Sequence, residues 1–219
     1  MSHVTKVRMF SQDEIRAKYE TLARWYDLED LPYELLCVRR LRRGLISQAT
    51  GDTLEIAVGT GKNLPYYQPN VSITAIDYSE PMMDQARKRA ERLGKSVNFK
   101  IMDAAKLAFL DERFDTVVST LSGCTFPDPE GVYREMARVC RKDGNILLIE
   151  HGRSDVHLLA WLQDKLALSY YNKYACLWNR DPLPSLTSAG IEVIESWQAL
   201  FGVFRAMQVK RMRSKAVKM

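Results

Sequence analysis

The sequence predicts a doubly wound α/β domain, and three observations carry that prediction. Runs with strand character at 53–58, 71–76, 96–101, 114–119 and 144–150 alternate with helical patterns, notably Pro81 to Leu93 and Pro129 to Cys140. Such alternation specifies a parallel sheet with right-handed crossovers and helices on both faces. The first run, Thr53-Leu-Glu-Ile-Ala-Val58, ends in a turn with glycines at 59 and 61, followed by the apolar pattern of a helix start. Two late β-rich runs, 191–197 and 202–209, are joined by so short a link that only a hairpin fits, which puts an antiparallel strand at the end of the sheet.

Taken in order, residues 11 to 26 read as a helix. Ser11 with Glu14 makes a capping box, and Ile15, Tyr19, Leu22, Ala23 and Tyr26 fall on one face. A second helix is expected from about Pro32 to Gln48, with Leu35, Leu36, Val38, Leu41, Leu45 and Ile46 inward and arginines on its flank. Both precede the first strand, so 1–50 is expected to be a lid or docking segment, 51–150 the ligand-binding core, and 151–219 the acceptor-side helices and hairpin of one domain. Within the last part, Val156 to Tyr174 reads as a longer amphipathic segment, Pro182 to Ala189 as a short helix, and the final eight or so residues as disordered.

At 219 residues, 46% of them apolar, the chain can bury a full core. No run of eighteen apolar residues and no signal peptide is visible, so a soluble intracellular protein is the expectation. Cysteines 37, 124, 140 and 176 lie far apart with no C-x-x-C pairing, which argues against a zinc site or a disulfide framework and for reduced, mostly buried thiols. No metal is expected. The net charge of +5 is unevenly placed: Arg39, Arg40, Arg42 and Arg43 crowd together, and from Arg205 to the end there are Lys or Arg residues and no acid. That distribution suggests an anionic membrane surface, with a solvated helix face and basic tail as the plain alternative. Nucleic acid is the weaker partner, since neither an appended RNA module nor aromatic-basic interleaving is present.

Three acids mark the strand ends. Glu55 beside the glycine turn would repel pyrophosphate and attract an ammonium group, and the Lys-Ser/Thr of a P-loop is missing after Gly61. Asp77 closes the second strand, where a carboxylate can accept two hydrogen bonds from a ribose diol; alternatively Asp77 or Ser79 simply caps the helix at Pro81. Asp103 ends the third strand and can accept from an exocyclic amine, while the Ala104 N–H reaches a ring nitrogen. Met82 and Met102 either pack on that ring or belong to the core.

These residues resemble the class I S-adenosylmethionine-dependent methyltransferases. Glu55-Ile-Ala-Val-Gly-Thr-Gly looks like their first motif, Ile76-Asp-Tyr-Ser-Glu-Pro-Met their second, Met102-Asp-Ala their third and Phe114-Asp-Thr-Val-Val-Ser their fourth, while Arg138 to Leu147 resembles the approach to strand five. The match covers roughly 50 to 150. It implies a Rossmann-like, seven-stranded, mostly parallel sheet with an antiparallel last strand. It also implies S-adenosyl-L-methionine as cofactor, held by Glu55, Ala57, Gly59, Gly61, Asp77, Tyr78, Met82, Asp103, Ala104 and Ser119. Ala57 stands where the family has its first glycine, which a methyl can replace if the backbone stays in the β region.

Two outer stretches narrow the resemblance. Tyr19-Glu-Thr-Leu-Ala-Arg-Trp-Tyr-Asp27 is similar to the opening of quinone C-methyltransferases and bacterial phospholipid N-methyltransferases; 120–129 with Glu150-His151-Gly and Cys176-Leu-Trp-Asn-Arg-Asp looks more like the phospholipid and related thiol enzymes. The expected reaction is therefore N-methylation of phosphatidylethanolamine by a cytoplasmic enzyme attached to the inner face of the membrane through Arg39, Arg40, Arg42 and Arg43. The alternatives are a quinone-precursor carbon, a lipophilic thiol, or a cofactor-binding, membrane-docking protein without turnover. Methyl transfer from a sulfonium needs in-line approach, and an ammonium acceptor must first lose a proton. His151 is the base candidate, with Tyr19 and Tyr26 orienting the amine; a buried structural histidine and two core tyrosines are the plain alternatives.

Overall fold

The computed structural model describes residues 8–212, so the part of the basic tail beyond Met212, including the stretch expected to be disordered, lies outside the described residues. The sheet comprises β1 (Asp52–Ile56), β2 (Ser72–Asp77), β3 (Val97–Ile101), β4 (Phe114–Thr120), β5 (Cys140–His151), β6 (Ile191–Ala199) and β7 (Phe204–Arg211), in spatial order β3-β2-β1-β4-β5-β7-β6. The first five strands pair in parallel, and β7 runs antiparallel between β5 and β6, with His151 opposite Phe204. The doubly wound sheet and its closing hairpin are those expected from the alternation of patterns.

Alternating side chains of the central strands feed two cores, one on each face of the sheet. Leu54, Ile56, Val117 and Leu148 pack with Tyr133 and Met136 of α6 (Pro129–Val139) and Leu186 of α8 (Leu183–Ser188). On the other face, Val58, Val118 and Leu147 meet Leu45 and Ile46 of α4 (Arg39–Ile46) and Met83 and Ala86 of α5 (Glu80–Arg92).

The N-terminal segment departs from two uninterrupted helices. The capping box at Ser11 and Glu14 forms, but α1 (Gln12–Leu22) stops before Tyr26, which opens the short α2 (Tyr26–Glu29). The next helix starts as α3 (Leu31–Tyr33), widens through a π turn at Glu34–Val38 and continues into α4. That extra residue per turn accompanies a change in which side is covered: Leu35 and Leu36 are exposed (64% and 67%), whereas Leu45 and Ile46 are buried. The inward placement expected for Leu35 and Leu36 is thus corrected.

A second correction concerns Arg42. Expected on a basic flank, it is buried: its Nε donates to Glu34 Oε1 (2.8 Å), and its guanidinium also donates to Asn63 Oδ1 (2.8 Å) and Thr120 Oγ1 (2.7 Å). Only Arg39, Arg40 and Arg43 of the cluster are exposed. The long helix α7 (His157–Tyr174) buries Ala160, Gln163 and Tyr171 and leaves Leu158, Trp161, Leu162, Leu166 and Leu168 exposed, so its apolar side does not all face the core. Among the described residues, no helix is long and apolar enough to cross a membrane.

Candidate active site

The glycine turn after β1 carries the site. Gly61 adopts φ +77°, and a Cβ there would stand 2.9 Å from Leu64 Cδ1 and 3.2 Å from Ala86, so this position needs glycine for both conformation and space. Ala57 lies in the left-handed region at φ +52°, not in the β region that would have made alanine a free substitute for glycine. Relieving that strain is measurable: Ala57→Gly should raise unfolding stability by about 1 kcal/mol in urea denaturation, the conformational cost of an L side chain in that region outweighing the added chain entropy.

Asp77 organises the turn from the neighbouring strand. Gly59 N–H donates to its Oδ2 (2.8 Å) and Ser79 N–H to its Oδ1 (2.9 Å), while Ser79 Oγ caps α5 by accepting from Met82 N–H. Each carboxylate oxygen keeps a lone pair. Burial pushes the Asp77 carboxyl up and these N–H groups pull it back. Asp77 lines a pocket with Ala57, Ile76, Tyr78, Met82, Met102 and Ala104, roofed by Ile15, Arg16 and Tyr19 of α1 and closed on its far side by Thr120, Leu121, Ser122 and Phe126. A carboxylate facing an apolar slot between two methionines suits a nucleoside, the acid toward a diol and the slot around a base.

Five of the expected cofactor residues, Glu55, Gly59, Gly61, Asp103 and Ser119, stand off this lining, the two glycines shaping the turn beneath it. Glu55 is buried behind the turn, where Asn63 Nδ2 donates to Oε1 and Tyr67 OH to Oε2, each at 2.9 Å. Asp103 turns back on its own loop to accept from Ala105 N–H (2.9 Å), and Ser119 is buried against Ser122 Oγ (2.5 Å). Ala104, Tyr78 and Met82 are brought together as expected, whereas Ile15, Arg16 and Phe126 carry no sequence signal for the pocket, because nothing in their spacing marks a wall built from segments far apart in the chain.

Burial pushes the Glu55 carboxyl up to about 7, against the hydrogen bonds from Tyr67 and Asn63 and the charge of Arg42. The folded state then binds a proton that the unfolded state has released above pH 4.5, so the contribution of Glu55 is full below that pH and is lost as pH rises toward 7. Relative to wild type, Glu55→Gln should gain about 3 kcal/mol of stability between pH 4.5 and 7.5, as read from paired urea titrations across that range.

A tether holds the N-terminal helices to the turn. Thr60 Oγ1 donates to Asp27 Oδ1 (2.6 Å), Lys62 Nζ to Asp30 Oδ2 (2.6 Å), and Arg89 pairs with Asp27. Tyr19 and Tyr26, their rings 6.0 Å apart, and Leu121 line both the nucleoside pocket and a second cavity of about 330 Å³. The second cavity is walled further by Tyr33, His151, Tyr170, Tyr174 and Cys176, with Glu29 and Asp30 at its edge. Burial raises the Tyr19 and Tyr26 phenols well above their ordinary range, so both are neutral donors. His151, at the end of β5, tilts against Phe204 and turns Nδ1 toward Cys124 Sγ (3.3 Å) and Cys176 Sγ (3.5 Å). Beside it, Glu150 accepts from Gly123 N–H (3.0 Å), and burial pushes its carboxyl up to about 8.

Residues 54–148 match the model of a methyltransferase domain. Among curated proteins, a phosphatidylethanolamine N-methyltransferase of Cereibacter sphaeroides is 40% identical over 131 residues, 59% of this chain and 64% of that protein. A demethylmenaquinone methyltransferase of Thermus thermophilus is 32% identical over 145 residues, 65% of this chain and 64% of that protein. The matches therefore span less than two thirds of either relative. Among solved structures, a Thermotoga maritima S-adenosylmethionine-dependent methyltransferase, described as a possible histamine N-methyltransferase, shares the fold at TM-score 0.69 and 21% identity over 89% of this chain and 99% of that one.

Proposed function

We propose that this chain, whose core belongs to the class I S-adenosylmethionine-dependent methyltransferases, methylates the amine of phosphatidylethanolamine at a membrane surface. The observation that carries the proposal is an aromatic cavity that shares Tyr19, Tyr26 and Leu121 as lining with the cofactor pocket. Five tyrosines facing one cavity form a wall that attracts an ammonium through ring faces and hydroxyls while excluding water. The Cereibacter sphaeroides relative supports the same acceptor.

The cofactor supplies an electrophilic methyl on a sulfonium; the rest falls to the chain. Asp77 and the backbone of the glycine turn hold the nucleoside end, with Met82 and Met102 around the base. Tyr19 and Tyr26 orient the amine at the junction of the two spaces. In the tautomer that carries its hydrogen on Nδ1, beside Cys124 Sγ, His151 keeps a free lone pair on Nε2 for the proton the ammonium must lose before its nitrogen can attack.

The two helices that supply Tyr33, Tyr170 and Tyr174 to the cavity also carry exposed leucines, Leu31, Leu35 and Leu36 on one and Leu162 and Leu166 on the other, suited to burial in a bilayer interface. Arg39, Arg40 and Arg43 add attraction for anionic headgroups, on the order of 1 kcal/mol each. Reversing these three to glutamate should lower sedimentation with anionic vesicles by at least tenfold at low salt and lower methylation of phosphatidylethanolamine in them in parallel. Unchanged binding would make the cluster an ordinary solvated face. A second reading, C-methylation of a quinone precursor, draws on the Thermus thermophilus relative and is separated by supplying that acceptor in place of the lipid.

A further inference from the structure

Cys124, His151 and Cys176 come from the loop after β4, the end of β5 and the loop after α7; their donor atoms lie within 4.8 Å of one another, the cysteines buried and the histidine half-buried. The sulfurs are 2.9 Å apart, and His151 Nδ1 lies 3.3 and 3.5 Å from them. Around a tetrahedral zinc ion, with Zn–S near 2.3 Å and Zn–N near 2.0 Å, sulfurs sit about 3.8 Å apart and sulfur and nitrogen about 3.5 Å. The sulfur–nitrogen edges already have that length, and only the sulfur pair must open, by about 0.9 Å. The donor set is selective as well: two thiolates and one neutral imidazole around a divalent ion sum to zero charge, which suits burial, whereas a monovalent ion would leave a net negative site.

We infer that Cys124, His151 and Cys176 form a binding site for one zinc ion, with the fourth position taken by water. The thiols are reduced and mostly buried, as expected; two cysteines separated by so much sequence give no metal-binding spacing, so the proposal departs from the expectation of no metal through their meeting in space alone. Binding would exchange two S–H protons for two Zn–S bonds, with the two protons released to buffer and no electron transferred. It would also bind the ring to the three-segment junction through Nδ1, leaving the hydrogen on Nε2. Resting on the base role proposed above, this makes zinc a control: an occupied site withdraws the proton acceptor, and turnover falls as the site fills.

Titrating the reduced, metal-free full chain with cadmium, a spectroscopic substitute for zinc, should give a thiolate-to-metal absorption band near the far ultraviolet that saturates at one ion per chain, and zinc should abolish it by competition. Calorimetry in two buffers should return two protons released per zinc. Cys124→Ser and Cys176→Ser should each weaken zinc at least a hundredfold, while Cys37→Ser, outside the cluster, binds as wild type; circular dichroism establishes that each variant is folded. Absence of the thiolate band in the reduced wild type, or equal affinity in wild type and the Cys124→Ser/Cys176→Ser double variant, overturns the site. These readouts need no turnover, so they stand even if phosphatidylethanolamine is not the acceptor. Full zinc occupancy with an unaltered methylation rate would overturn the control.

Discussion

Asp77→Ala is expected to weaken S-adenosylmethionine binding at least a hundredfold in calorimetry while leaving the protein folded. The carboxylate has two tasks whose losses add. It fixes the turn by accepting from Gly59 and Ser79 N–H groups, and its free lone pairs face the pocket. Hydrogen bonds to a charged group contribute about 1.5–3 kcal/mol each, and two to a ribose diol account for the loss without invoking the turn. Asp77→Asn keeps one acceptor oxygen and should fall between the two, near tenfold. A helix-capping role alone would give another pattern: about 1 kcal/mol less stability and an unaltered cofactor affinity.

The other large effect is on stability. Arg42→Met should cost about 3–5 kcal/mol, measured by chemical unfolding, because it removes one partner of a buried ion pair and leaves Glu34 insufficiently compensated. Lys62, 3.9 Å from Glu34, is a second cation but already faces Asp30 at 2.6 Å. Asn63 and Thr120 would lose a donor in the same change, and these two groups sit on the glycine turn and at the end of β4. Cofactor affinity should therefore weaken together with stability. A cost under 1 kcal/mol would place Arg42 among solvated surface charges after all.

The contrast between these residues explains how far the sequence could be read. Asp77 was legible because a strand end followed by a capped helix is a local pattern, and the strands, α5, α6 and the closing hairpin announce themselves in the same local way. Arg42 was not legible. Its burial depends on Glu34 lying on the preceding turns of the helix while Asn63 and Thr120 approach from other parts of the chain, and a row of arginines on a helix looks the same whether one side meets protein or water. Ala57 teaches the same lesson at the backbone, since alanine in a strand-like run gives no sign of a left-handed conformation. Glu55, read as a receptor for the cofactor's ammonium, is sequestered by Asn63 and Tyr67, which follow it in the chain but return to it only through the fold of the turn. The cavity behind Tyr19 and Tyr26 joins α2, α3, β5 and α7, whose meeting no spacing discloses.

The proposal places a lipid amine in the aromatic cavity that shares Tyr19, Tyr26 and Leu121 with the cofactor pocket. It is tested most directly by incubating the full chain with methyl-labelled S-adenosylmethionine and anionic vesicles containing phosphatidylethanolamine, then separating the lipids. Label in N-methylated phosphatidylethanolamine, reduced at least tenfold by Tyr19→Ala/Tyr26→Ala in a chain that still binds the cofactor, is the expected result. Cofactor binding with no label in the lipid amine, or label that the double variant leaves undiminished, would contradict it.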